Sequence, residues 1–533
     1  MDETSGYQRF NRNYSENNFD ILFNFKRNIS EDISFNGLVG GTINRINVNT
    51  ILASTQGGLV IPGIYSLQNS NIAVRPIDSE SNQGINSYYG QVSFGYKNLV
   101  YLDGTVRRDA YSTLPKENNA VVYPSVSSSL IFSNLLDYKW LSYGKLRANF
   151  AQVGNGAPGQ ALTDTYTKFD PFDTANLYST PTVKNNPDLK PTITSNYELG
   201  LEMSFLDRRI GMDLGIYRSL STDQIFQVPF STATGYSSKF INAGSIENKG
   251  IELQLNGTPI DSKDFKWEIF VNWATNKNQV VSLNDGIENL QLGSFQGGVT
   301  INAAVGQPYG VIRGTDFTYL NGEKLVGANG RYVINSSSNN VIGDINPDWT
   351  GGVRNKVSYK NFALSFLIDM QKGGDIFSLD RYYGLATGLY EETAGLNDLG
   401  NPIRNSIADG GGVILPGVQA DGSPNTIRTP SPQFYGNVDG YRRKPNAAFV
   451  YDASYVKLRE VSITYNFPSS LSKKLLVQDM KFSIVGTNLW IINKNLPDAD
   501  PESGLGSGNL SSGYSVGSLP TTRNIGCNLT IKF

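Results

Sequence analysis

Glu198 and Glu202 stand four residues apart in NYELGLEMSF, and in an extended chain that spacing puts both carboxylates on one face about 13 Å apart. A glycosidase holds its two carboxyl groups within about 5–10 Å, so this pair is too wide for sugar-bond cleavage. Asp498, Asp500 and Glu502 offer a denser set of oxygens. A hard cation such as calcium accepts such ligands, but the segment lacks the spacing and the glycine of an EF-hand loop, so calcium binding and a purely structural loop both stand as readings. Histidine is absent and Cys527 is the single cysteine. The commonest general base is therefore missing, and neither a Cys/His zinc site nor a Cys–His nucleophile pair can be built. There is no G-x-S-x-G elbow and no P-loop pattern. The residues predict no enzyme and, calcium aside, no cofactor.

What remains is recognition. Glu252, Gln254, Glu268 and Asn272 fall, like Glu198 and Glu202, on the polar side of alternating segments, where they read as the lining of a wet lumen and as candidate substrate contacts. Tyr382, Tyr383, Tyr390, Tyr435 and Tyr441 fall in long loops. Their rings offer faces for stacking on sugars, or serve only to pack the loops together. The net charge of -2 with no basic cluster excludes a nucleic-acid partner, whose phosphates demand a lysine or arginine face.

The elements that position these groups are strands. The closing IGCNLTIKF sets Ile525, Cys527, Leu529, Ile531 and Phe533 on one side and Gly526, Asn528, Thr530 and Lys532 on the other, the period-two signature of a strand with one apolar wall. Outer-membrane barrels end in this way, which makes Phe533 the candidate assembly signal. Cys527 occupies an outward apolar slot as a small hydrophobe. The same alternation recurs from Phe19 to Lys26, from Val92 to Tyr96, from Tyr197 to Phe205, and in Ile251–Leu255, Phe265–Trp273, Phe362–Ile368 and Val461–Phe467. About 14 to 16 strands of roughly 9–11 residues are expected, a length that suits a tilted bilayer span. Short turns near Asp207, Ser262 and Lys360 alternate with long Gly/Ser/Asn-rich stretches at 40–87, 154–190, 221–248, 277–345, 373–450 and 491–522. That asymmetry predicts an all-β, transmembrane, antiparallel up-and-down barrel with long extracellular loops. One segment breaks phase: Lys457 and Arg459 share parity with Val461, Ile463 and Tyr465, so either a bulge flips the strand or both stems snorkel to the headgroups.

Several segments resemble a known family. LDGTVRRDAYSTLPKENNAVVYPSVS from Leu102, LRANFAQVGNG from Leu146, NNPDLKPTITSNYELGLEMSFLDRR from Asn185, GSIENKGIELQL from Gly244, DINPDWTGGVRN from Asp344, KGGDIFS from Lys372, DASYVKLREVSITYNFP from Asp452, the DPE tripeptide at Asp500–Glu502 and the terminal LPTTRNIGCNLTIKF follow one another in order over residues 90–533. Together they are similar to the SusC/RagA-like TonB-dependent outer-membrane transporters of Bacteroidetes. The resemblance implies a 22-stranded barrel filled by an N-terminal plug. It also implies import of oligosaccharides or peptides, a SusD-like surface lipoprotein as capture partner, and energy from a TonB complex acting through the plug.

No plug, TonB box or carboxypeptidase-like extension is visible before the first strands, and MDETSGYQRFNRNYSENN is no secretory signal. Residues 1–533 are therefore read as the C-terminal part of a TonB-dependent receptor barrel, incomplete, because missing strands would leave unpaired backbone edges in hydrocarbon. Two rivals remain: a passive porin-like channel, and a secreted β-rich protein that binds or cleaves glycans.

Overall fold

The computed structural model describes residues 5–169, 171–284, 286–431, 445–504 and 513–533. Fifteen strands form one sheet: β1 (Gln8–Asn28), β2 (Ile33–Ser54), β3 (Ile77–Tyr96), β4 (Val100–Tyr111), β5 (Ala120–Leu130), β6 (Leu141–Asn155), β7 (Thr192–Phe205), β8 (Ile210–Thr222), β9 (Ser245–Asp261), β10 (Phe265–Ser282), β11 (Pro347–Tyr359), β12 (Phe362–Gly373), β13 (Tyr455–Asn466), β14 (Asp479–Lys494) and β15 (Asn524–Lys532). Their order in the sheet is their order in the chain, with β1 at one end and β15 at the other. These two are not hydrogen-bonded to each other, so among the described residues the sheet is open and no closed barrel forms. An open sheet leaves each end strand with one row of unpaired N–H and C=O groups.

The chain divides into two compact units. One comprises Met1–Phe132, Arg147–Glu198 and Ser219–Ser245; the other comprises Ser133–Leu146, Leu199–Arg218 and Ile246–Phe533. In the first, β1 to β5 pair antiparallel in sequence. The register sets Phe19 opposite Ile43, Ile21 opposite Gly41 and Phe23 opposite Val39. Directly opposed residues share a face, so these side chains form one wall, and it is not covered: Phe19, Phe23 and Val39 are 65%, 67% and 65% exposed. The other face carries Asp20, Asn18, Thr42 and Asn44. A water-soluble sandwich buries its apolar face against a second sheet; here the apolar face is the open one.

Strands β1 and β2 run to 21 and 22 residues, longer than the expected span. The stretch 40–87, read as loop, is strand at both ends. Toward the long-loop end of the sheet the wall turns from Phe and Ile to Asn, Arg and Ser, so the apolar row on that face ends while the hydrogen-bond ladder continues.

In the second unit, β10 to β15 pair antiparallel in sequence. The short connections near Asp207, Ser262 and Lys360 are as expected, and Lys360 takes a positive φ of 51° in its two-residue turn. The break of phase on β13 is a bulge. Opposite Leu367 and Ile368 the partner steps from Glu460 to Leu458, skipping Arg459. One extra residue returns Lys457 to the polar face that carries Glu460 and Ser462. The stretch 277–345, read as a loop, holds a four-stranded sheet of Asn289–Phe295, Val299–Ala304, Tyr309–Phe317 and Ile334–Asp344. Val299, Ile301, Ala303 and Ile312 are almost fully buried there. A helical segment, α1 (Leu379–Thr387), is capped by Ser378, whose hydroxyl accepts from the Arg381 N–H, and it ends at Gly388 in the left-handed region.

Candidate functional site

The polar face of the second unit is built from charges that answer one another across strands. Glu268 on β10 is opposite Lys356 on β11. Its carboxylate is 3.2 Å from the Lys356 ammonium and 3.0 Å from that of Lys266. Arg354 on β11 reaches Glu460 on β13 at 2.9 Å. In the first unit, Glu198 is 3.6 Å from Arg147. Glu202 shares the Glu198 face of β7 and is half-buried, while Glu252 on β9 is exposed. Thus Glu198 and Glu268 stand in charge-compensated pairs, and Glu252 forms no ion pair among the described residues.

Where the bulge turns β13, it presents the densest ionic cluster. The Lys457 ammonium lies 2.5 Å from Asp500 Oδ1 and 2.5 Å from Glu502. Arg459 donates to Asp369 and, at 2.7 Å, to Glu502. Tyr455 donates its hydroxyl proton to Glu502 at 3.0 Å, and Thr521 donates to Asp500 Oδ2 at 2.6 Å. Lys457 and Asp500 are both only 3% exposed. Burial pushes the carboxyls of Asp500 and Glu502 up. The hydrogen bonds from Lys457 and Thr521 to Asp500, and from Arg459 and Lys457 to Glu502, outweigh it and hold both below the ordinary carboxylate range.

This corrects the calcium reading. The oxygens of Asp500 and Glu502 already face the ammonium of Lys457 and the guanidinium of Arg459. Asp498 pairs with Arg381. A second cation at these oxygens would have to displace side-chain cations that the fold holds in place.

Arg381, on α1, is a second junction. Its buried guanidinium pairs with Glu392 and Asp498 and donates to the Tyr451 hydroxyl at 2.7 Å. It therefore ties together three loop segments. Tyr382 and Tyr383 are half-buried. Tyr382 meets Phe377 and Phe449 ring to ring at 5.7 and 5.1 Å. Tyr383 accepts a hydrogen bond from Gln296 at 2.6 Å. Both therefore pack loops together while keeping part of their surface open. Tyr390 lies 5.0 Å from the Arg381 guanidinium, which stacks over its ring. Tyr435 and Tyr441 lie outside the described residues. Phe533 is 85% exposed, and Cys527 is exposed as a free thiol.

Beside these junctions a cavity of about 560 Å³ opens, lined by Asn276, Asn278, Asn346, Gln371, Tyr309, Asp375 and Glu502 among others. Its amides are anchored. Asn278 accepts from the Tyr309 N–H at 2.6 Å, Asn346 donates to the Tyr309 carbonyl at 2.9 Å, and Asn276 donates to Asn248 at 3.0 Å. Burial raises the Asp375 carboxyl above its ordinary value, against the hydrogen bond it accepts from the Asp344 N–H. A fixed array of amide donors and acceptors beside carboxylates suits a flexible polar ligand rich in amides or hydroxyls. Among the described residues no group of acidic, histidine or cysteine ligands is arranged to hold a metal.

Reasoning from sequence missed Arg381, Asp375 and the cavity amides. A signal was present, since Asp375 lies in KGGDIFS and Asn346 in DINPDW, two segments singled out for their resemblance but given no role.

The chain matches the family model described as TonB dependent receptor-like, beta-barrel, over residues 2–353. It is 26% identical over 573 residues to TonB-dependent receptor P3 of Formosa agariphila, an overlap of 99% of this chain and 52% of that protein. To TonB-dependent receptor SusC of Bacteroides thetaiotaomicron it is 26% identical over 305 residues, covering 52% of this chain and 30% of the relative. Its fold is similar to that of the RagAB peptide transporter, with a TM-score of 0.77 at 20% identity over 99% of this chain and 56% of that one. This chain spans about half the length of the curated relatives that it matches from end to end.

Proposed function

From the premise that this chain belongs to the TonB dependent receptor-like β-barrel family, as a SusC/RagA-like protein of the outer membrane, we propose that it forms barrel wall and external loops of an importer for peptides or oligosaccharides. The family is one of transporters and not of enzymes. In this reading a SusD-like lipoprotein delivers substrate from outside. The gating plug, through which a TonB complex acts, is assigned to sequence beyond these 533 residues.

The observation that carries the reading is the amide-lined cavity, built from strands β10 and β12 and the long connections beside them, on a sheet whose apolar face is uncovered. Glu198, Glu202, Glu252 and Glu268 are assigned to substrate contact on the polar faces of their strands, and Tyr382 and Tyr383 supply ring faces among the loops. Tyr435 and Tyr441 are assigned the same role, and Phe533 that of assembly signal. The name of the RagAB peptide transporter makes peptides the first substrate class to test.

The test is uptake by cells carrying the whole gene with Asn276→Ala and Gln371→Ala. Each lost ligand hydrogen bond contributes about 0.5–1.5 kcal/mol, so the half-saturating concentration of a labelled peptide mixture rises roughly tenfold. Unchanged peptide and oligosaccharide uptake would remove the cavity from the transport path.

A further inference from the structure

We propose that the outward face of β1 to β4 carries a binding site for the phosphorylated sugar headgroup of an outer-leaflet glycolipid, centred on Arg45. The site is distinct from the polar inner surface and independent of the imported substrate.

The face is fixed by register. No bulge interrupts the pairing of β1 with β2, β2 with β3 or β3 with β4, so residues in register with the apolar wall remain on the outward side along the whole ladder. On β2 the wall runs through Phe35, Val39 and Ile43, and the next outward residue is Arg45. On β1 it runs through Phe23, Ile21 and Phe19, followed by Asn17. On β3 it passes from Val92 through Tyr88 to Asn86. Three adjacent strands thus switch from apolar to amide and guanidinium side chains at the end that bears the long loops. In a barrel that end is extracellular, and this level is where headgroups begin.

At the switch a cavity of about 490 Å³ is lined by Asn17, Arg45, Asn47, Asn82, Asn86 and Asn119 among others. Its floor is Gly84, cross-strand from Arg45. A methyl group there would stand 3.1 Å from the Arg45 guanidinium, so the absent side chain is what lets the cation lie flat against the sheet. Arg45 is held by the Asn44 carbonyl at 2.7 Å, the Ile85 carbonyl at 3.4 Å and Asn86 Oδ1 at 2.9 Å. Every partner is neutral. Among the described residues no carboxylate pairs with it. The nearest acid along β3 on this face, Glu80, is four residues from Gly84, about 13 Å along the strand, and is engaged by Asn82 at 2.8 Å. Arg108, cross-strand from Tyr88 on the same face, is exposed and likewise has no carboxylate partner. A positioned guanidinium without a counter-charge, ringed by amides and standing at headgroup height, matches a phosphate ester on a hydroxyl-rich sugar.

The experiment uses the protein as isolated from its outer membrane in detergent. The probe is a lipopolysaccharide-type glycolipid bearing sugar phosphate, alongside the same glycolipid after dephosphorylation and inorganic phosphate alone. Native mass spectrometry reads retention, and the thermal midpoint reads binding. The phosphorylated glycolipid is expected to be retained and to raise the midpoint. Arg45→Ala weakens that binding roughly tenfold, and Arg45→Gln, which keeps polar contacts to the strand, weakens it as much. Arg27→Ala, on the same face at the short-turn end, leaves it unchanged. Heat-modifiable migration in gels confirms that each variant is folded. Equal retention by Arg45→Gln, equal binding of the dephosphorylated lipid, or an equal midpoint shift from inorganic phosphate would each overturn the assignment.

Discussion

Lys457 and Asp500 form a buried ion pair at 2.5 Å between the wall of the sheet and a loop that lies 43 residues further along the chain. The pair exists because Arg459 is bulged, which turns Lys457 from the apolar face to the polar one. Replacing Lys457 by Met leaves the buried carboxylate of Asp500 without its cation, and breaking such a pair costs about 3–5 kcal/mol. The segment 495–504 is expected to undock, and hydrogen exchange and limited proteolysis measure that directly. The double variant Lys457→Met, Asp500→Leu recovers much of the loss, because no buried charge is left unpaired and Glu502 keeps Arg459. A single variant as protected as the parent would show that the pair does not hold the loop.

The same cluster sets a pH dependence. Asp500 and Glu502 are held below their unfolded values, so their contribution is fully present above the unfolded carboxylate range and is lost as pH falls through the depressed values. Docking of the loop should be constant from neutral pH down to roughly pH 4 and fail below it. Asp375 runs the other way. Its raised value means the folded state favours the protonated form, so Asp375 weakens the fold at neutral pH and does so less as pH falls. Asp375→Asn should therefore raise the thermal midpoint at pH 7 and erase its own share of the pH slope. Melting curves between pH 3 and 8 (roughly the range in which carboxylates titrate) separate the two groups.

Gly250, in the NKGIEL segment of β9, is explained by contact. A Cβ there would fall on the Thr275 carbonyl oxygen and the hydroxyl end of Tyr217. Backbone oxygen cannot move aside as a side chain can, so Gly250→Ala should cost about 1–3 kcal/mol through overpacking. Denaturant unfolding in detergent measures it, and a neutral substitution would mean that β9 shifts freely against its neighbours.

How much of this was legible follows from which face a residue serves. The fifteen strands match the expected count because a sheet with one apolar and one polar face demands an apolar side chain at every second position. Where strands leave that environment the demand ends. The ladder of Asn44, Asn47 and Asn49 is therefore strand that reads as loop. The four-stranded sheet between Asn289 and Asp344 was hidden for a related reason, since its strands are interrupted by Gly and Asn, two of them are buried, and none alternates in polarity against lipid. The cluster at Asp500 misled because its cations come from a distant strand, and Lys457 was visible only as an error of phase. The Arg381 junction had no local signature at all, since its partners Glu392, Tyr451 and Asp498 meet only in three dimensions.

The last prediction addresses the wall itself. Val39 stands in the middle of the outward apolar row, opposite Phe23 on one side and Gly90 on the other, and is 65% exposed. If water surrounded this face, Val39→Arg would be nearly neutral, since surface substitutions away from special features stay within about 0.5 kcal/mol. In the hydrocarbon of a bilayer the same change costs roughly 2–4 kcal/mol near the midplane and about 0–1 near the interface. The paired control is Asn47→Arg, on the same face beyond the apolar level, which should cost little in either environment. Folding into lipid vesicles, followed by urea titration and heat-modifiable migration, reads both. A large loss for Val39→Arg beside a small one for Asn47→Arg places the apolar row in lipid, because water would penalise the more exposed of the two positions least. Equal and small losses would return the sheet to water and remove the premise on which the importer rests.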